Sequence, residues 1–559
     1  MKHILYIVGI FLLATACLDD ENDYNYQKIN SLDKYIVENI KYTYSCFQGD
    51  TLQFDPIPKM PMDTIFKQDL SFEWYIEEEV KGHERQFEFK ADEIGIFNLL
   101  FVTIDNTTGL RFPYPVTIKV EGHGYKGWWI LSKTNGDASM LSSVWSRVHQ
   151  YIKMDNNGKP ILDIYGNPLQ IDTILYEGKS INFVKGLGHG PIKLVENFAF
   201  NQYTYEGLDF SDDEMMVLQK DQCVELDGVN YKPVAYAKNE FLDGTPTNFE
   251  PTNAVLSYGC KCLLNSNGHC YFSVNSVATD LHTGRYFNDP AFNGRQIAAI
   301  YATNKSAARN KSNFFLALDK KTNSLIGIID NGSVNSKSPI IDIQKNFTGE
   351  VIPVTNNKKP NFALFNEIKY EVIWTMWTSA KMWKSNSSNP TWVSILRDKD
   401  TDEYFLHCFQ LDYNEYASTK ALQIKNSFLK PINKEMFAGG DYKITRFQHK
   451  NYLIVANGDK MWLCNYNKEN KDKGVYFAYF KGEEVVSLAA KDVNSTKYGG
   501  PHMGVGFKNG RFCVFEVIFN ESMNTRTLIP LYNQDGFGDI VDVTFKHRSV
   551  SNLGTSTLF

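Results

Sequence analysis

Cys260, Cys262, His269 and Cys270 are residue types that ligate zinc, and they sit close together in the chain. A Cys-x-Cys pair on a strand sends both side chains to one face, not around a tetrahedral ion. Cys270 opposes Cys262 in only one hairpin register, so a disulfide there depends on that register. Buried free thiols are the expectation. Asp398-Lys399-Asp400-Thr401-Asp402 places carboxylates at alternating positions, as a Ca²⁺ loop does. Such a loop needs Gly where Glu403 stands and Glu where Phe409 stands, so a solvated turn is expected. His407-Cys408 lies inside an alternating strand and reads as packing. Gly186 to Pro191 is Gly-rich but lacks the spacing of a phosphate cradle, and reads as a loop. His-Glu-x-x-His, Walker and Gly-x-Ser-x-Gly patterns are absent. Carboxylate pairs for glycoside cleavage would come from distant parts of the chain and are not readable here. No catalytic residue, metal or cofactor is assigned.

Aromatic residues are the stronger candidates for a site. Trp374, Trp377 and Trp383 occur close together. Strand alternation puts Trp374 on one face with Tyr370 and Val372, in the core, and turns Trp377 the other way at the strand end. Trp383 falls in the following loop. Trp377 and Trp383 are therefore candidate stacking groups for a sugar ring or a peptide side chain, with packing between sheets as the competing role. Arg285, Tyr286 and Phe287 lie in a second polar, Gly-containing stretch, from which Arg285 and Tyr286 are further ligand-binding candidates.

These residues must be positioned by a repeated hairpin. Gly127-Trp128-Trp129-Ile130-Leu131-Ser132 is an apolar run, followed by a polar turn and a return to Trp145. The pattern recurs at residues 215–226, 260–274, 314–329, 392–411, 452–464 and 503–518. Asn, Asp, Gly and Lys fill the turns, as in Asn457-Gly458-Asp459. Seven hairpins give roughly 62 residues per unit, somewhat above the usual propeller blade. Extra strands such as residues 442–447 and 485–488 precede several hairpins, which makes four strands per unit. Residues 538–545 look like the leading strand of a further unit with no hairpin after it, whereas the hairpin at Trp128 has no clear leading strand. Pairing the two ends closes a ring and removes an exposed edge. The expected fold is all-β: a β-propeller of seven blades, with six or eight as alternatives, over residues 123–559.

The bulk numbers agree with that class. A chain of 559 residues exceeds one hydrophobic core. Its 14% aromatic content suits strands, and a net charge of −6 carries no basic footprint for nucleic acid. Nine cysteines in this length form no dense disulfide framework. Residues 1–17 read as a secretory leader: Lys2, an apolar stretch over residues 4–13 too short to span a bilayer, then Ala14-Thr15-Ala16-Cys17. The leader resembles that of bacterial lipoproteins, with Ala14 where Leu is usual, and implies acylation of Cys17. Leu18-Asp19-Asp20-Glu21-Asn22-Asp23 resembles the surface-export tag of Gram-negative lipoproteins, within a tether over residues 18–37. That implies a lipid anchor in the outer membrane facing the exterior.

Residues 38–122 show short alternating strands. Phe72, Trp74 and Ile76 alternate with Glu73, Tyr75 and Glu77, with Trp74 inward. Gly95-x-Phe97-x-Leu99-x-Phe101-x-x-x-Asp105 resembles the late strand of PKD domains, and an Ig-like, PKD-like β-sandwich is expected. The Gly-Asp-Gly turn usual after the Trp strand is absent. Taken together, leader, small domain and Gly-Trp-Trp-Ile-Leu-Ser resemble the PKD-like lipoproteins that accompany Sus-like uptake systems. That resemblance implies partners, a TonB-dependent importer and its lid lipoprotein, and an accessory role in binding a nutrient glycan or peptide. Two other readings stay open: a cell-surface propeller hydrolase or lyase acting on polysaccharide, and a structural or adhesive subunit.

Overall fold

Alternation of apolar and polar residues in the first unit, and short apolar runs buried on both faces in the second, both give strands. The computed structural model describes residues 30, 34–60, 69–122, 127–155, 158–163, 166–196, 202–205, 208–211, 215–227, 231–256, 260–274, 285–291, 295–301, 314–329, 350–355, 369–378, 391–413, 422–447, 451–467, 470–491, 501–520 and 525–546. Among them no α-helix occurs. The chain divides into two compact units, Met1–Glu121 and Gly122–Phe559.

The first unit contains a five-stranded sheet in the order Thr43–Phe47, Arg111–Glu121, Gly95–Asp105, Leu70–Ile76, Glu79–Gly82. Thr43–Phe47 runs parallel to its neighbour, and the other pairings are antiparallel. Two short pairs accompany it: Ile36–Glu38 with Ile57–Lys59, and Thr51–Phe54 with Phe87–Lys90. Trp74 is inward as alternation requires, and its ring meets Phe54, Phe87 and Phe101. Asp105 ends the motif read from the sequence. Burial opposes its charge, but bonds from Asn30 Nδ2 (2.9 Å) and the Thr107 N–H (3.0 Å) prevail and hold its carboxyl below the usual range.

The second unit repeats a four-stranded antiparallel meander. Sheet 1 takes its first strand, Asp539–Lys546, from the end of the chain and the others from the start: Gly127–Lys133, Ser139–Ile152, Gln170–Ser180. Sheet 2 is Pro191–Glu196, Met215–Gln219, Cys223–Leu226, Pro233–Tyr236. Sheet 3 is Pro251–Leu256, Cys260–Asn265, Cys270–Val274, Arg285–Tyr286. Sheet 4 is Ile297–Tyr301, Phe314–Asp319, Ser324–Ile329, Glu350–Thr355. Sheet 5 is Tyr370–Thr378, Thr391–Asp398, Tyr404–Tyr413, Leu422–Ile432, and a short parallel pairing joins the last strands of sheets 4 and 5. Sheet 6 is Tyr442–Phe447, Tyr452–Asn457, Lys460–Asn465, Val475–Tyr479. Sheet 7 is Val485–Lys491, His502–Phe507, Phe512–Asn520, Thr525–Gln534. The pairing of Asp539–Lys546 with Gly127–Lys133 is the end-to-end pairing anticipated from the two incomplete repeats.

First strands of successive sheets adjoin: sheet 1 with 2, 2 with 3, 3 with 4, 4 with 5, 6 with 7, and 7 with 1. Apolar clusters fill the spaces between neighbouring sheets. Trp128 and Trp129, adjacent on one strand, face opposite ways. Trp128 packs against Phe512 of sheet 7 and Phe545, whereas Trp129 meets Phe183 and Tyr231. The tandem tryptophans thus fill both sides of sheet 1.

Candidate functional site

The first strands carry a recurring irregularity. Pairing with the second strand shifts between Pro191 and Lys193, Pro251 and Asn253, Ile297 and Ala299, and Val485 and Ser487. On Asp539–Lys546, the first strand of sheet 1, it shifts between Ile540 and Asp542. Each is a β-bulge near the hairpin-side end of its sheet, and a bulge re-aims the side chain that follows it. The residues so placed are Asp542, Lys193, Asn253, Ala299 and Ser487, on sheets 1, 2, 3, 4 and 7.

Hydrogen bonds tie these residues across sheet boundaries. Ser487 Oγ meets Asp542 Oδ1 at 3.1 Å and accepts the Val543 N–H at 2.9 Å. The Leu194 N–H donates to Asp542 Oδ2 at 2.9 Å, so this carboxylate fastens Asp539–Lys546 to sheets 7 and 2. Lys193 Nζ donates to Asn253 Oδ1 (3.2 Å), and Asn253 Nδ2 donates to the Ile300 carbonyl (3.3 Å). The belt therefore runs from sheet 7 through 1, 2 and 3 to 4. Lys193 keeps ample accessible surface. Enclosure nonetheless lowers its pKa, partly offset by the charge of Asp542. Burial pushes the Asp542 carboxyl up, against its hydrogen bonds and Lys193.

A second polar cluster has no such access. Lys261 is fully buried, and its Nζ reaches Glu225 Oε1 at 2.6 Å and Glu240 Oε1 at 3.1 Å. The Tyr286 ring lies 5.4 Å from the same ammonium. Glu225 belongs to sheet 2, Lys261 and Tyr286 to sheet 3, and Glu240 to the connection between them. The cluster is an internal tie between sheets.

The sequence candidates fare unevenly. Tyr286 is not in a loop: it ends a short strand, is fully buried, and stacks on Phe241 at 5.2 Å. It presents no ring face to a ligand, because the connection before sheet 3 covers it. Arg285 shares that strand, but its side chain lies outside the described residues, as do Cys17, Trp383 and the thiol of Cys260. Trp377 is 7% exposed and packs with Trp392 and Phe409 in the core between sheets 4 and 5. The Arg446 guanidinium lies 5.7 Å from its ring. Trp374 does not share a face with Tyr370 and Val372. A bulge between Val372 and Trp374 reverses the alternation, so Trp374 packs towards sheet 6 while Tyr370 and Val372 pack towards sheet 4.

Cys262 pairs with Phe272 and Cys270 with Leu264, so the two cysteines are not opposed, and both are buried free thiols. Asp398 closes its own turn, accepting the Asp400 and Thr401 N–H groups at 2.9 and 3.2 Å and Lys369 Nζ at 3.2 Å. Asp319 repeats the device with Lys321, Thr322 and Arg295. Among the described residues no group of three or more His, Cys, Asp or Glu is placed to hold a metal. His407 is buried, stacks on Phe409 at 4.8 Å, and has its pKa pushed down to about 3 by burial.

Sequence reasoning missed Lys193, Asn253, Ser487 and Asp542. Each follows a bulge in the first strand of its sheet, a signal readable only once the bulges are known. Lys261 was overlooked as the residue between two cysteines.

Residues 17–165 match the model of the PKD-like family. The match takes in the first unit from Cys17 onward and continues into sheet 1. No curated protein matches the chain. Among solved structures, the chain is similar to a quinonprotein alcohol dehydrogenase-like protein from Bacteroides thetaiotaomicron, at 10% identity and TM-score 0.29, over 91% of this chain and 97% of that one. It is also similar to the β-propeller domain of Cps50 (Swd1) from Myceliophteria thermophila, at 10% identity and TM-score 0.35, over 68% and 93%. The WD40 domain of SCAP from fission yeast follows at 8% identity and TM-score 0.29, over 58% and 63%.

Proposed function

We propose that this protein is a lipid-anchored outer-membrane component of a nutrient uptake system, displayed on the cell exterior. A PKD-like β-sandwich acts as spacer, and a seven-bladed propeller captures a glycan or peptide for a TonB-dependent importer with a lid lipoprotein. The observation that carries the reading is the PKD-like match, which opens at Cys17, the residue the leader would expose for acylation. The propeller reading is supported by seven four-stranded meanders among the described residues, by adjoining first strands, and by the end-to-end pairing in sheet 1. A ring in which the terminal strand completes the first sheet leaves no array end to cap.

The test is extraction from the native outer membrane in mild detergent, followed by affinity capture of the full chain. Co-purification with an importer and its lid lipoprotein is the expected result. A protein that emerges alone and monomeric overturns the reading. Cys17→Ser is expected to move the protein out of the membrane fraction, measured by fractionation.

A further inference from the structure

The belt across the first strands contains one cation with spare donors. Lys193 Nζ makes a single hydrogen bond, to the neutral amide of Asn253, so two of its three N–H groups remain for something else. No carboxylate lies within 4.0 Å of it among the described residues. Asp542 is already engaged by Ser487 and the Leu194 N–H. The amide of Asn253 cannot flip freely. Its oxygen accepts the Ala254 N–H at 2.9 Å and its nitrogen faces the Ile300 carbonyl, so oxygen is presented to the ammonium. Thr252 and Ala298, the extra residues at the bulges of sheets 3 and 4, are exposed.

From this geometry we infer that Lys193, oriented by Asn253, binds a carboxylate of the ligand at the hairpin-side end of the first strands. An ammonium with two free donors gains a charge-assisted hydrogen bond from a carboxylate. A single ammonium is a point charge without the planar fork of a guanidinium, and it suits a monoanion rather than a phosphate. The inference rests on the capture reading above and narrows it to acidic ligands. The carboxylate comes from a uronic acid or from a peptide C-terminus.

Calorimetric titration of the mature full-length protein with sodium glucuronate, glucose, Ala-Ala and Ala-Ala amide tests it. At least one acid is expected to bind ten-fold or more tighter than its neutral counterpart, and the preferred acid names the source. Lys193→Met removes the preference and Lys193→Arg keeps most of it. If the Met variant does not fold, protection replaces it: the preferred acid slows acylation of Lys193 by a small reagent, read by peptide mass mapping, and the neutral analogue does not. Equal binding of acids and neutrals, absence of binding by every probe, a preference that survives Lys193→Met, or an unprotected Lys193 overturns the site. Importer co-purification does not depend on Lys193. Retained co-purification without carboxylate preference thus defeats the site alone, and an isolated monomer that still prefers carboxylates defeats the capture reading alone.

Discussion

The boundary between sheets 2 and 3 and the boundary between sheets 7 and 1 solve the same packing problem with opposite chemistry. Between sheets 2 and 3 a fully buried ammonium is held by two carboxylates under an aromatic ring. Between sheets 7 and 1 the filling is aromatic: Trp128, Phe512, Phe537 and Phe545 interlock. Gly504 makes that fit possible, since a Cβ there would lie 2.7 Å from Cε3 and Cζ3 of Trp128. The first boundary depends on charge balance, whose loss is expensive, and the second on volume, whose error is moderate. The closing boundary also carries the Ser487–Asp542 tie, which specifies partners more than it adds energy.

The sharpest way to break the contrast is Lys261→Met. It takes the ammonium away from two buried carboxylates and is expected to cost about 3–5 kcal/mol in a denaturant titration. Replacing Lys261, Glu225 and Glu240 together with apolar residues is expected to recover most of that loss. Failure to recover would show that the cluster does more than balance its own charge.

Acidification comes next and acts on the closing boundary through His502, whose Nδ1 lies 2.8 Å from the Tyr176 hydroxyl. Burial, with help from Lys491, pushes its pKa down to about 3, as burial does for His407. Both folded-state values lie below the unfolded value of about 6.5, so the unfolded chain takes up protons that the folded chain refuses. Their contribution is intact above about pH 6.5 and declines as pH falls towards 3. Each histidine removes up to about 1.4 kcal/mol per pH unit in that window. His502→Gln is expected to flatten the melting temperature between pH 6.5 and 4.5, and an unchanged slope would refute the assignment. Asp105, Asp319 and Asp398 have lowered pKa values, so their contributions are lost only at lower pH.

Gly504→Ala sharpens the volume side. The added methyl meets a ring with nowhere to go, and overpacking of this kind costs about 1–3 kcal/mol. The smallest expected effect is Ser487→Ala, about 1 kcal/mol for hydrogen bonds lost at the tie. If it exceeds Gly504→Ala in thermal melts, the closing boundary is held by polar contacts after all.

Much of the strand pattern was legible. Trp74, Leu99 and Phe101 turn inward where alternation puts them, and the hairpins at residues 215–226, 260–274 and 452–464 pair as read. Failure came where one residue was added to a strand. The bulge before Trp374 reversed its face, and those before Lys193, Asn253 and Ser487 hid a belt that no spacing rule reveals. Tyr286 was misjudged because a polar, Gly-containing stretch looks like a loop until the sheet it completes is known.

By itself the sequence determined the all-β class, the repeated hairpin and the end-to-end pairing, because these follow from local periodicity and from counting strands at the two ends. Tertiary structure alone decided which polar residues are shut in, as Lys261 is, and which stay wetted, as Lys193 is. The reason is physical: exposure and ion pairing belong to neighbours far apart in the chain, and a single inserted residue turns every side chain beyond it to the other face.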